Sequence, residues 1–305
     1  MVFNPDHGIS INRPLPSLCN IPILLVMTQQ RQERLKPLLD DLPPGYVADA
    51  AWLVGRGIDR KSILQYEQRG WLEKLARGVY SRPDTHRDVS AASDWRRLVL
   101  SLQRVMGYEV HVGGRTALSL HGFEHYLSLG AEAVPIYLYG NVPSWLARLP
   151  NADRFETRTL SLFGGSKTGV DGVDDEKQSS PPQRRLNDLM VSTPERAILE
   201  LLNELPADES FHNADMVFEG LANLRPRLLE TLLKECRSVK VKRLFFVFAD
   251  QHDHAWRQYL DPDDFDLGSG PRALVEGGRL HPRYDITVPP ELIDNMQSRE
   301  SEDGP

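Results

Sequence analysis

Residues 57–80 read GIDRKSILQYEQRGWLEKLARGVY, and few local structures accommodate that order. Asp59 stands where an N-cap belongs, its carboxylate placed to accept from the free N–H groups of a first helical turn. The helix predicted from there runs over 60–69 and ends at Gly70, as helices that stop on a C′ glycine do. Ile63 and Leu64 are expected to face a core. Arg60, Lys61, Gln65, Tyr66 and Arg69 are left for solvent or a partner. Residues 71–75 and 78–80 alternate enough for a small hairpin, with Lys74 and Arg77 expected in its turn. A helix that offers cations and amides, followed by a basic wing, suits a DNA major groove with the wing on phosphate. The alternative is a small core helix with an ordinary charged face.

The totals neither require nor forbid a DNA-reading head. The chain of 305 residues is long enough for two or three domains, and 40% apolar residues suffice for real cores. Its formal net charge of −7 excludes a basic nucleic-acid coat protein. The charge is uneven, however. Residues 46–82 carry seven Arg and Lys against four Asp and Glu, a local surplus of three positive charges. Salt screens charges beyond about 8–10 Å, so the local field decides. Cys19 and Cys236 are far apart and lack ligand spacing, which argues against a disulfide framework or zinc site and suits a reducing cytoplasm. The apolar run 21–27 is short and broken by Pro22, so neither a membrane span nor a signal peptide is expected.

Along the chain, residues 1–27 are expected to be a disordered tail, with Met27 a candidate start. A winged helix-turn-helix is expected over 28–88: helices at 29–39 and 46–54, a turn at 55–57, then the helix and wing. The rest, 89–292, reads as one larger mixed α/β domain, making the whole α+β, with a charged tail at 293–305. Within that body an amphipathic helix is predicted at 90–106, on the spacing of Trp95, Leu98, Val99, Leu102, Val105 and Met106. Strands are predicted at 108–112, 135–139, 155–163 and 189–191. Helices follow at 194–202, 213–223 and 225–236, where Pro194 and Glu195 suit a first helical turn. Residues 240–249 are strand or helix, 254–260 a short helix, and 273–275 and 284–288 closing strands. The Gly-, Ser- and Asp-rich stretch 164–183 reads as a flexible loop.

No catalytic constellation stands out. Residues 164–168 (GGSKT) lack the spacing of a phosphate-binding loop, and Gly268-Ser269-Gly270 lacks the third glycine of a dinucleotide fingerprint. In a nucleotidyltransferase the Gly-Ser turn precedes the acidic pair; here Asp264 and Asp266 come first. His252-Asp253-His254 has no distant partner to complete a metal set, and His121 reads as a helix-end residue. No cofactor or metal is expected. A second basic cluster, 225–243, sets seven cations against Glu230 and Glu235. It suits either nucleic acid or an acidic protein surface, or is simply a solvated face.

The order of these pieces resembles the AbiEi family, antitoxins of type IV toxin–antitoxin systems. The wing pattern is R-G-x-L-x-x-L-x-R-G-x-Y, here Arg69-Gly70 through Arg77-Gly78-Val79-Tyr80. Further matching segments are TALSLHG at 116–122, STPERAILE at 192–200, SVKVKRLF at 238–245, LGSG at 267–270 and YDITVP at 284–289. The likeness spans 27–289, apart from the loop at 164–182. It implies a winged helix that binds the promoter DNA of its own operon and represses it. It also implies a body that counteracts a nucleotidyltransferase-like toxin, without need of a stable complex. On this reading Arg60, Lys61, Gln65 and Tyr66 face base edges and nearby phosphates, and Arg56, Arg69, Lys74 and Arg77 lie on phosphate. Lys240, Lys242 and Arg243 are candidates for the antitoxin surface.

Two other readings stay open. In one, the head binds DNA while the body senses a ligand or protein partner. In the other, the chain is an enzyme on DNA or RNA that uses Asp285, Glu276 and the acidic run 261–266.

Overall fold

Asp49 ends a strand of the head and caps the helix that follows it. The computed structural model describes residues 38, 41–84, 94–123, 135–172 and 189–294. In the head, β1 (Val47–Asp49) and β2 (Glu73–Ala76) both pair antiparallel with β3 (Val79–Ser81). α1 (Ala50–Gly55) and α2 (Arg60–Gln68) lie between β1 and β2 in sequence. The helix expected over 46–54 is therefore shorter. Its first residues are drawn into the sheet by β3, and it starts only where Asp49 Oδ1 accepts from Trp52 N–H at 2.8 Å. Gly57, at φ +80°, makes the turn into α2. Asp59 Oδ1 accepts from Ser62 N–H at 2.7 Å, the N-cap read from the sequence. Lys74 lies within β2, while Arg77 sits in the wing turn beside Gly78 at φ +77°. Of the helix expected at 29–39, only Leu38 belongs to the described residues; it is helical and buried.

The body is built on a mixed five-stranded sheet ordered β6-β5-β4-β8-β7. Its strands are β4 (Val110–Val112), β5 (Ile136–Gly140), β6 (Phe155–Arg158), β7 (Val170–Gly172) and β8 (Met190–Ser192). Before β4 comes α3 (Trp95–Leu100), capped by Asp94 and continuing into one π turn at Ser101–Val105. That pair realises the described part of the helix expected at 90–106. The strand expected over 155–163 stops at Arg158 and gives way to a 3₁₀ turn at Leu160–Phe163. α4 (Gly114–Leu120) follows β4, and His121 caps its C-terminal end, its Nε2 at 2.9 Å from the carbonyl of Ser192.

α5 (Pro194–Glu204) starts at the Pro194 seen in the sequence and is buried along most of its length, charged residues included. Glu200 is fully buried. Its carboxylate accepts from Gly114 N–H (2.9 Å), Ser192 Oγ–H (2.8 Å) and Arg196 Nε–H (2.8 Å), and lies 3.1 Å from His111 Nε2. A buried carboxylate persists only when paired and hydrogen-bonded in this way. Burial by itself pushes the Glu200 carboxyl upward, but His111 and Arg196 outweigh it and hold it below the usual range. Arg196 also donates to the carbonyls of Ser166 (2.9 Å) and Thr168 (2.7 Å), and its guanidinium lies over Phe163. These bonds, with the pairing of β7 to β8, correct the flexible loop expected at 164–183. Residues 164–172 are an ordered part of the body; residues 173–183 lie outside the described ones.

α6 (Phe211–Gly220), α7 (Pro226–Glu235) and α8 (Val239–His252) complete the body. The run 240–249 is thus helix, and Phe245, Phe246 and Phe248 from it pack in the core. A short pair, β9 (Arg279–Leu280) with β10 (Thr287–Val288), closes the chain. The strand expected at 273–275 does not form. Leu274 and Val275 N–H donate to the Thr287 hydroxyl instead of to a ladder, at 2.6 and 3.2 Å.

Candidate nucleic-acid interface

Head and body meet along the free edge of β1. Its outward N–H groups are taken by side chains of the body: Val47 N–H by Ser101 Oγ at 2.9 Å, and Asp49 N–H by Met106 Sδ at 3.4 Å. Trp52 Nε1–H reaches the Val105 carbonyl at 2.8 Å, beside the π turn. Asp49 Oδ2 accepts from Tyr108 O–H (2.7 Å) and Trp145 Nε1–H (3.1 Å). An edge strand covered in this way offers no template for a further strand. Most of the outward cations of the head lie on α2 and the wing, and Arg56 lies in the turn after α1.

On α2 the inward side is set by Ile63 and Tyr66, three residues apart and both buried. Tyr66 is 7% exposed, its ring 5.4 Å from that of Trp71. It therefore cannot face base edges as expected. The ring supplies the area that closes α2 onto the wing, a demand the sequence pattern does not display. Leu64 is the converse case. Expected in the core, it is 53% exposed, because one helical step from Ile63 rotates a side chain by about 100°.

Arg60, Lys61, Arg69, Lys74 and Arg77 are exposed, and Gln65 is half-buried. None of those five cations has a carboxylate partner among the described residues. Arg69 lies over the Trp71 ring at 5.3 Å. Arg56 differs: it pairs with Asp41 and rests over Trp52 at 4.7 Å, so part of its charge is already answered.

The second group of expected residues does not form a surface. Lys242 and Arg243 are buried, at 5% and 2% exposure. Arg243 donates to the carbonyls of Leu267 (2.7 Å), Gly270 (2.8 Å) and Asp285 (2.7 Å), fastening the segment after α8 onto that helix. Lys240 is half-buried, and its ammonium donates to the carbonyls of Asn203 and Leu205, both at 2.7 Å, at the C-terminal end of α5. Desolvation lowers its pKa, against the pull of Glu204. Arg243 and Lys240 are internal clamps. Their carbonyl partners stand 24–42 residues away in sequence, so a charge count reads them as solvated. His252 and His254 are likewise engaged, with Asp215 Oδ1 and the Phe218 carbonyl, each at 2.7 Å.

Residues 31–129 match the family model described as transcriptional regulator, AbiEi antitoxin N-terminal domain. Residues 132–289 match the one described as transcriptional regulator, AbiEi antitoxin, type IV TA system. The chain belongs to the AbiEi antitoxin family. The boundary between the two AbiEi matches falls at 129–132, well inside the body, because the N-terminal match takes in α3, β4 and α4 with the head. The fold is similar to the crystal structure of the RV2827C protein from Mycobacterium tuberculosis. The TM-score is 0.56 at 15% identity, over 90% of this chain and 95% of that one, a likeness of fold alone. No functionally curated protein matches the chain. Among the described residues of this AbiEi protein, no helix is long and apolar enough to cross a membrane.

Proposed function

We propose that this AbiEi protein is an autorepressor that binds promoter DNA of its own operon through α2 and the wing, and an antitoxin against a nucleotidyltransferase-like toxin. The observation that carries the first half is the set of exposed cations on α2 and the wing, Arg60, Lys61, Lys74 and Arg77, that have no carboxylate partner among the described residues. Such charges stay hydrated in the free protein and release counterions when phosphate replaces water. In this reading Arg60, Lys61 and Gln65 lie toward base edges, and Arg69, Lys74 and Arg77 toward phosphate, with Arg56 at the margin. The family assignment supports the second half, and the toxin's class rests on it alone.

A gel shift with the DNA immediately upstream of the reading frame tests the repressor role. Arg60→Ala with Lys61→Ala should weaken binding and flatten its dependence on salt. Unchanged binding would refute this placement of the interface. Co-expression with the neighbouring gene tests the antitoxin role: growth should be rescued by the whole chain, and failure of rescue would leave only the repressor.

A further inference from the structure

Leu64 is the one large apolar side chain of α2 that lies outside the core. Ile63 and Tyr66 bury the inner side of the helix, and Leu64 stands 53% exposed on the other. Its neighbours there are Arg60 and Lys61, four and three residues before, and Gln68, four after, all exposed, with the half-buried Glu67 three after. An apolar side chain beside two exposed cations and an amide, with one carboxylate at its edge, is poorly matched to water. It is equally ill-suited to an apolar protein groove, which would have to desolvate Arg60 and Lys61. Duplex DNA offers both complements at once. Phosphates answer the cations, and the major groove presents one apolar group, the C5-methyl of thymine.

Resting on the reading of α2 as the groove-facing helix, we propose that Leu64 is a specificity-determining residue that packs against a thymine methyl. It thereby selects an A·T pair where α2 meets the groove. The nearby Gln65 and Gln68 carry amides of the kind that pair with adenine N6 and N7, so the local chemistry favours the same base pair. Leu64 stands outside the buried core of the head, so changing it leaves Ile63, Tyr66 and that core in place.

The test uses the full chain and the upstream fragment, synthesised once with thymidine and once with 2′-deoxyuridine, which lacks only the methyl. Fluorescence anisotropy should show the unmodified protein binding uracil DNA about fourfold more weakly for each methyl it contacts. Leu64→Ala should bind the two fragments equally, at about the weaker affinity, and Leu64→Gln should be equally blind to the methyl. The inference is overturned if either variant keeps the unmodified protein's preference, or if that protein has none. It is also overturned if Leu64→Ala leaves DNA binding intact but disperses an oligomer in sedimentation, which would make the patch a contact with a second copy. Absence of binding to either fragment would instead remove the DNA reading of the head, and this inference with it.

Discussion

The Tyr108 hydroxyl donates to Asp49 Oδ2 at 2.7 Å, a bond that ties the body to the carboxylate capping α1 of the head. One side chain thus starts α1 and receives Tyr108 and Trp145 from the body. Burial raises the Tyr108 pKa, and the neighbouring Asp49 raises it further, so the phenol remains a donor. Asp49→Ala should lower stability by about 3–5 kcal/mol, combining a lost cap with two donors left unpaired. Tyr108→Phe should cost about 1 kcal/mol. Urea unfolding of both single variants and the double variant should show strong coupling; additive losses would mean the joint does not act as a unit.

Glu200 and Arg196 are a buried ion pair on α5, at 0% and 1% exposure. Glu200→Ala leaves Arg196 as an uncompensated buried cation and should destabilise by about 3–5 kcal/mol. Because the folded carboxyl titrates below its unfolded value of 4.5, its stabilisation is present above that pH and is lost as pH falls through the folded value. Glu195, held low by Arg225 despite burial, acts in the same direction. Acid unfolding followed by circular dichroism should therefore steepen below about pH 4.5, and less so in Glu200→Gln.

His281 adds a milder acid dependence. Its Nδ1 accepts from the N–H groups of Arg283 and Tyr284, at 3.3 Å each, which requires a neutral ring. Burial lowers its pKa from 6.5; Asp250 opposes that and Arg283 adds to it. The unfolded chain therefore takes up the proton first, and stability declines as pH falls below about 6.5. His281→Asn can keep an acceptor near the same place without titrating. Its thermal midpoint should be flatter between pH 6.5 and 5.5, and an identical slope would show that another group is responsible.

Arg243→Ala takes the guanidinium donor from the carbonyls of Leu267, Gly270 and Asp285, of which Asp285 keeps the Arg272 N–H. The loss should be at least about 3 kcal/mol, since hydrogen bonds to a charged group are worth roughly 1.5–3 each. Proteolysis should open the segment after α8 first. A variant as stable as the parent would return Arg243 to the surface role its charge suggested.

In the wing, Lys74 and Arg77 differ in setting, one within β2 and the other in the turn. If both meet phosphate, each change to alanine should reduce the slope of log K against log salt by about 0.9, with little change in sequence preference. A change in preference without a change in slope would place that residue on a base edge instead.

Much of this molecule is legible in its sequence because the signals are local. Asp59 before a helical run, Gly70 after it, Pro194 with Glu195 at a helix start and the helical spacing of 95–106 all act within a few residues, and the structure realises them. The order helix, turn, helix, wing and the family likeness rest on the same short-range features. Choices that depend on distant partners were not legible. Tyr66 and Leu64 exchange places because the wing and α1 decide which side of α2 is covered. Residues 164–172 are ordered because a guanidinium some thirty residues on takes their carbonyls. Lys242 and Arg243 are internal because α8 is enclosed on all sides. A sequence states how polar a side chain is and which way its neighbours turn. Only the packed structure decides whether water or protein satisfies it, because that depends on atoms brought together from far along the chain.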